Sequence, residues 1–350
     1  MGGKLPRVLA EARNAIRAMV LPGGKVLVAC SGGADSLALA AAAAFLHRKN
    51  EIDAGAVIVD HLMQPGSTEV ARRAAAQCRA LGLGEVLVIQ VDVDGGSEQA
   101  ARTARYAAFG QALKQTGADH VLLGHTLDDQ AEQVLLGLAR GSGTLSLAGM
   151  PAVRGPYLRP LLGLDRAQIE QICRHEGLEY WSDPTNTDPR YLRNRVRHEL
   201  MPVLRSVLGD QVPAALARTA ALARADAEYL DELAARALEE AIRAAVPAAD
   251  GEAIPGAAST GCIIDLGRLR AMPEPLRSRA LRLAVVRLGA PAPDFERMGP
   301  LGALVLGSKS AGPIQLEGPV YATRIAGTRL PAGAEPFLRL DATALRDGGG

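Results

Sequence analysis

The first half of the chain alternates short apolar runs with amphipathic stretches. Lys25–Cys30 (KVLVAC) is an apolar run, followed by a Gly-rich turn and a helical run over Leu37–Arg48. Ala56–Asp60 reads as the next strand, then a helix over Ser67–Leu81. Glu85–Val93 reads as a third strand before a helix over Glu98–Gln115, and His120–Gly124 as a fourth before a helix over Leu127–Ala139. Short apolar runs between amphipathic helices predict repeated βαβ units, with a parallel sheet covered on both faces. Ligands of such sheets bind beyond the carboxyl ends of the strands.

The pattern then changes. Gly141–Leu164 reads as a Gly- and Pro-rich loop region, Arg166–Glu176 as a helix, and Ser182–Pro189 as turns. An Ala-rich helical pattern runs from about Val212 to Ala244, and Val246–Gly261 reads as a linker. Beyond it lie a helical pattern over Glu274–Leu288 and an alternating segment, Pro313–Leu330, with Ile314, Leu316 and Val320 on one side. The expected division is a catalytic α/β domain over 1–208, a helical linker over 209–246, a small α+β domain over 247–345 and a disordered tail over 346–350.

Composition narrows the class. The 350 residues carry 39 Lys+Arg against 38 Asp+Glu, a net charge of +1, which excludes a uniformly basic nucleic-acid coat protein but not a local basic patch. Aromatic residues are only 3%, so packing must rest on Ala, Leu and Val. The apolar run Leu37–Leu46 is too short for a bilayer, and no secretory signal opens the chain. The four cysteines are far apart and read as free thiols of a reducing compartment, so the expected location is cytoplasmic, without membrane association.

The strongest chemical feature is Ser31-Gly32-Gly33-Ala34-Asp35-Ser36, set between a strand and a helix. Its glycines let the backbone turn tightly, and the helix N-terminus offers unpaired N–H groups to a phosphate. An acid in a phosphate loop needs a cation, so Asp35 points to Mg²⁺. The ordinary alternative is a strand–helix turn with Asp35 or Ser36 as N-cap. It lacks the GK[ST] ending of a Walker A loop. In Gly124-His125-Thr126-Leu127-Asp128-Asp129-Gln130-Ala131-Glu132, three carboxylates are expected at one helix end, calling for Mg²⁺ or a substrate ammonium. First-turn acids are also ordinary dipole features. Arg102 and Arg105, three apart, read either as a solvated face or as a phosphate clamp on ATP or RNA. Arg190, Arg193, Arg195, Arg197 and His198 form a short cationic strip, read either as a solvated helix face or as a contact to an RNA backbone.

The Ser31–Ser36 pattern resembles the PP-loop ATP-utilising enzymes. Further motifs follow in order: Ala101-Arg102-Thr103-Ala104-Arg105-Tyr106, the Gly124–Glu132 segment, Arg140-Gly141-Ser142-Gly143, Arg159-Pro160-Leu161-Leu162, Trp181–Asn186 and Arg193–His198. Together they resemble the tRNA(Ile)-lysidine synthetase family, densely over Lys25–Leu204. The chain departs from that family's frequent pattern at Thr126, where a His often stands, and at Gln133, where a Thr does.

The resemblance implies a five-stranded parallel sheet with flanking helices. It implies ATP-dependent ligation of free L-lysine to the wobble cytidine of a CAU-anticodon isoleucine tRNA, through an adenylated intermediate. It assigns Ser31, Gly32, Gly33, Ala34, Asp35, Ser36, Asp60, His61, Arg102, Gly124 and His125 to ATP, with adenine near Asp60-His61. Asp35 and Asp128 would hold Mg²⁺, and Asp129 and Glu132 would bind lysine. Asp35, Asp128, Asp129 and Glu132 form the catalytic set, and Arg105, Arg190, Arg193, Arg195 and Arg197 face tRNA. The small C-terminal domain would also bind tRNA, and a homodimer is left open. A tRNA thiolase would want a sulfur carrier such as a cysteine pair or an iron–sulfur cluster, and Cys78 and Cys173 are isolated. A non-catalytic nucleotide-binding module would have no use for the carboxylates, and an amidotransferase has no room for its glutaminase domain.

Overall fold

Period-two alternation sends the side chains of each strand to opposite faces, and both faces are covered. In β1 (Lys25–Ala29), Val26 and Val28 enter one core while Leu27 enters the other. In β2 (Asp53–Asp60), Ala56 and Ile58 join the first core and Val57 the second. The computed structural model describes residues 6–62, 66–92, 98–141, 143–242, 261–316, 318, 320–327 and 335–342. These divide into two compact units, drawn from Met1–Gly141 with Ser146–Ala221 and from Ser142–Leu145 with Leu222–Gly350.

In the first unit, α1 (Arg7–Arg17), α2 (Ala34–Arg48) and α3 (Ser67–Ala80) pack into one core; α4 (Glu98–Thr116) supplies Phe109 and Ala112 to the other. The consecutive alanines Ala40–Ala44 of α2 are all buried, a close-packing surface that replaces aromatic bulk. The remaining strands are β3 (Val86–Gln90), β4 (His120–Leu123), β5 (Val153–Arg154) and β6 (Tyr157–Leu158).

The sheet order is β3-β2-β1-β4-β6-β5, which corrects the expected five strands to six. All neighbours are parallel except β5, which pairs antiparallel with β6. The hairpin β5–β6 lies in the stretch read as loop. Two-residue strands are too short to show alternation, and a Gly155-Pro156 turn dominates their local pattern.

Next come α5 (Leu127–Arg140), α6 (Thr144–Leu147), α7 (Arg166–His175) and α8 (Leu192–Arg195). A π-helical turn, Val196–Leu200, joins α8 to α9 (Met201–Leu208), and α10 (Val212–Ala241) follows. The second unit holds β7 (Gly261–Asp265), α11 (Leu266–Ala271), α12 (Glu274–Arg287), α13 (Phe295–Leu306), β8 (Ala311–Gln315), β9 (Val320–Ile325) and β10 (Phe337–Ala342). Its antiparallel sheet has the order β7-β10-β9-β8, confirming the α+β expectation. The single alternating segment expected at Pro313–Leu330 is two strands. The expected linker (all but its last residue), Ser142 and the tail lie outside the described residues. Among the described residues, no helix is long and apolar enough to cross a membrane.

Candidate active site

Five parallel strands point one way, so Ser31, His61, His125 and Arg159 all leave β1, β2, β4 and β6 at the same edge. Gly32 adopts φ +82°, a conformation that favours glycine, and turns the chain into α2. A Cβ at Gly33 would meet nothing closer than Ser31 Oγ at 3.6 Å, so this glycine keeps space clear above the helix end rather than relieving strain. Ser36 Oγ donates to the Gly33 carbonyl at 3.0 Å and accepts from the Ser31 N–H at 3.1 Å. Its hydroxyl therefore braces the loop. Gly124 is needed for close approach, because a Cβ there would sit 3.0 Å from the Asp35 carbonyl.

Asp35 stands in the first turn of α2, beside a cleft of about 220 Å³ lined also by Asp129, Arg166, Trp181, Asn186 and Arg197. Its Oδ1 is buried without a hydrogen-bond partner, and the Arg166 guanidinium lies 3.8 Å away. Burial, then the nearby Asp129 charge, push the Asp35 pKa up to about 6 against Arg166 and Arg197. A carboxylate oxygen without a hydrogen-bond partner at a helix N-terminus, beside the Ser31–Ser36 loop, fits a hard cation such as Mg²⁺.

The three clustered acids separate. Asp129 and Glu132, 8% and 1% exposed, turn inward. Asp129 Oδ2 accepts from the Thr126 N–H at 2.8 Å and hydroxyl at 3.0 Å, closing a capping box that starts α5. The departure from the family pattern at Thr126 thus supplies the helix cap. Asp129 Oδ1 accepts from Arg193 and Arg197, each at 2.9 Å. Glu132 accepts from Arg193 Nε at 2.8 Å and Arg197 Nε at 2.6 Å. Burial alone would raise the Asp129 pKa, but Arg193, the Thr126 bonds and Arg197 outweigh it and hold it low. Asp128 faces elsewhere, taking Arg205 at 2.7 Å and the Arg166 N–H at 2.9 Å.

The cationic strip divides by helical phase. Arg193 and Arg197, four apart, face α5 and are committed to its carboxylates. Arg190 and Arg195 point outward, paired with Asp188 at 2.6 Å and Glu199 at 3.4 Å. His198 Nε2 lies 2.9 Å from the Asn186 carbonyl, and Asn194 Nδ2 donates to the Thr185 and Asp188 carbonyls. The Trp181 N–H donates to the Gly32 carbonyl, bringing this stretch against the phosphate loop.

At the end of β2, Asp60 is 2% exposed and accepts from the hydroxyls of Ser67 and Thr68, both at 2.7 Å. It fastens β2 to the start of α3. His61 Nε2 accepts from Arg105 at 3.4 Å. Burial, then Arg105, lower the His61 pKa. Arg102 lies over the Tyr106 ring, 5.0 Å from its centroid. Burial lowers the His125 pKa to about 4 despite Asp129, so the ring is neutral at pH 7. Sequence reading missed Arg166 as a neighbour of Asp35. Its only local sign was its place after Asp165, the N-cap of α7.

The PP-loop domain family matches residues 7–204, and the TilS substrate binding domain family matches residues 264–326. A tRNA(Ile)-lysidine synthase of Leifsonia xyli subsp. xyli is 48% identical over 299 residues, spanning 85% of this chain and 86% of that protein. The synthase so named from Salinispora tropica is 45% identical over 341 residues, spanning 93% and 98%. Among solved structures, the U34-tRNA thiolase NcsA from Methanococcus maripaludis, with its [4Fe-4S] cluster, aligns with a TM-score of 0.52 at 16% identity. It covers 61% of this chain and 77% of its own, a likeness of fold alone. Similarity of that extent, along nearly the whole of the relatives and on a site built around a phosphate loop, leads to one conclusion: the chain belongs to the tRNA(Ile)-lysidine synthase family, within the PP-loop enzymes.

Proposed function

We propose that the chain joins free L-lysine to C2 of the wobble cytidine of the isoleucine tRNA bearing a CAU anticodon. The products are lysidine, AMP and diphosphate. The modified base pairs with A in place of G, which changes decoding from AUG to AUA and tRNA identity from Met to Ile. The carrying observation is that one sheet edge assembles the Ser31–Ser36 loop, an Asp35 oxygen without a hydrogen-bond partner and the buried Asp129–Glu132 pair.

In this reading the loop and the start of α2 hold the ATP phosphates, with adenine over β2 near His61. Asp60 keeps the end of β2 in place. Asp35 is the residue that would hold Mg²⁺, which neutralises phosphate charge when bound. Asp128, with both oxygens taken, serves the Arg205 brace instead. The cytidine O2 attacks the α-phosphorus, diphosphate leaves, and the lysine amine then displaces AMP at C2.

A lysine ammonium, with an ordinary pKa of about 10.4, must lose a proton before it attacks, and a carboxylate or phosphate oxygen has to take it. Asp129 and Glu132 are assigned to lysine. Their charge is balanced by Arg193 and Arg197, so an arriving ammonium competes with a guanidinium. Arg190, Arg195 and Arg105 are assigned to the tRNA backbone, together with the second unit, in a cytoplasmic enzyme. The test is incubation with ATP, radiolabelled lysine and total tRNA. Label is expected in the CAU-anticodon isoleucine tRNA with stoichiometric AMP, and AMP without lysine transfer would overturn the reading.

A further inference from the structure

Two guanidiniums line the cleft beside the Ser31–Ser36 loop, those of Arg166 and Arg197. They differ in how many of their donors are spent. Arg197 gives two bonds to Glu132 and one to Asp129. Arg166 spends only Nε, on Glu170 at 2.9 Å. Its Nη1 stands 3.8 Å from Asp35 Oδ1, beyond hydrogen-bond reach, and the side chain is 49% exposed. Among the described residues its terminal nitrogens have no hydrogen-bond partner. Arg159, beyond β6, is buried, donates to the Pro151 carbonyl and does not line the cleft.

The backbone that carries Arg166 is held from two sides. It is the first residue of α7, inside the Asp165–Gln168 capping box. Its N–H donates to Asp128 Oδ2 at 2.9 Å, and Asp128 Oδ1 accepts from Arg205 at 2.7 Å. The Leu127 N–H donates to the Leu164 carbonyl at 2.9 Å, so the starts of α5 and α7 are tied twice. Asp128 therefore fixes the chain at Arg166, and Glu170 fixes one edge of its guanidinium. The fork that remains matches phosphate oxygens, which accept two parallel N–H bonds. Asp35 and Asp129 line the same cleft and repel a polyanion, so an anion there requires a guanidinium with donors to spare.

We propose that Arg166 is a catalytic residue of the adenylation step, its free guanidinium edge binding the β- and γ-phosphates of ATP and the diphosphate they become, with Asp128 as its positioning residue. The inference rests on the ligase reading above. In that step the cytidine O2 forms a bond to the α-phosphorus, and the bond from that phosphorus to the α–β bridging oxygen breaks. The electron pair leaves on the diphosphate, which gains one negative charge while the base becomes cationic, and no proton moves. A guanidinium on the departing group is thus worth more in the transition state than in bound ATP.

The test titrates wild type, Arg166→Gln and Asp128→Asn by calorimetry with diphosphate and with AMP, Mg²⁺ present, beside single-turnover AMP formation on tRNA. In Arg166→Gln, diphosphate should bind about 10- to 100-fold more weakly, as for loss of a charged hydrogen bond, while AMP affinity holds. The adenylation rate should fall further than ATP affinity, and Arg166→Lys should recover only part. Asp128→Asn should weaken diphosphate about 3- to 10-fold and add nothing to Arg166→Gln. Loss of an acid by charge alone would strengthen diphosphate binding, so a gain there overturns the positioning role. Unchanged diphosphate affinity in Arg166→Gln, or an equal loss for AMP, would overturn the assignment in favour of a counter-ion or a structural role. Should Arg166→Gln fail to fold, Arg205→Gln takes the same comparison through Asp128, and an unchanged ratio of the two affinities overturns it equally. Wild-type protein that binds both probes yet forms no AMP on tRNA refutes the ligase reading itself, a result distinct from any of these.

Discussion

Arg197 grips Glu132 with two bonds across 65 residues of sequence, Nε to Oε1 at 2.6 Å and Nη2 to Oε2 at 3.0 Å. Among the described residues, removing Arg197 leaves the buried Glu132 with Arg193 as its remaining cation. Arg197→Ala should destabilise the protein by about 2–4 kcal/mol, and adding Glu132→Gln should restore part of that loss. Urea unfolding of both single variants and the double variant measures the coupling. Strict additivity would show that the contact carries no energy.

Asp35 gives the clearest pH signature. Its pKa in the folded protein, about 6, lies above the ordinary carboxylate value, so the folded state holds the proton more tightly than the unfolded chain. That stabilisation is full at pH below the unfolded pKa and is lost as pH rises through about 6. Asp35→Asn should therefore raise the melting temperature of the ligand-free protein at pH 7 and give no gain at pH 4. It should also abolish AMP and diphosphate formation. A lower melting temperature at pH 7 would contradict this account.

The two loop glycines should separate experimentally. Gly32→Ala places a Cβ at φ +82°, at a cost of about 1–2 kcal/mol in thermal or chemical melts. Gly33→Ala meets no close atom, so stability should hold while ATP affinity drops in calorimetry. Equal effects on stability would remove the distinction.

Arg190→Glu with Arg195→Glu should weaken tRNA binding and flatten the salt slope of log K by roughly 0.7–0.9 per lost phosphate contact. Arg193→Glu with Arg197→Glu should behave differently, lowering stability and lysine transfer by setting two anions against Asp129 and Glu132. Filter binding over a salt series, beside melts, tells the two faces apart.

The βαβ alternation, the phosphate loop and the placement of acids at a strand end were legible because each is a local pattern. The pairing of Arg193 and Arg197 with α5 was not, since charges four apart read the same whether they face solvent or a partner 60 residues away. Spacing also suggested three acids in one group, yet adjacent helical positions diverge by about 100°, and Asp128 turned to Arg205. Arg159 lay in a motif without a visible role, because burial of a charge leaves no mark on its neighbours in sequence.

The turns around Asn186 hang from the helical run that carries the arginines, through Asn194 and His198. One wall of the cleft and the clamp on Glu132 are in this way joined, and the Trp181–Gly32 backbone bond ties that stretch to the Ser31–Ser36 loop. Because the Asn186 wall and the two guanidiniums belong to one bonded run of chain, the shape of the cleft on that side and the position of the clamp are set together.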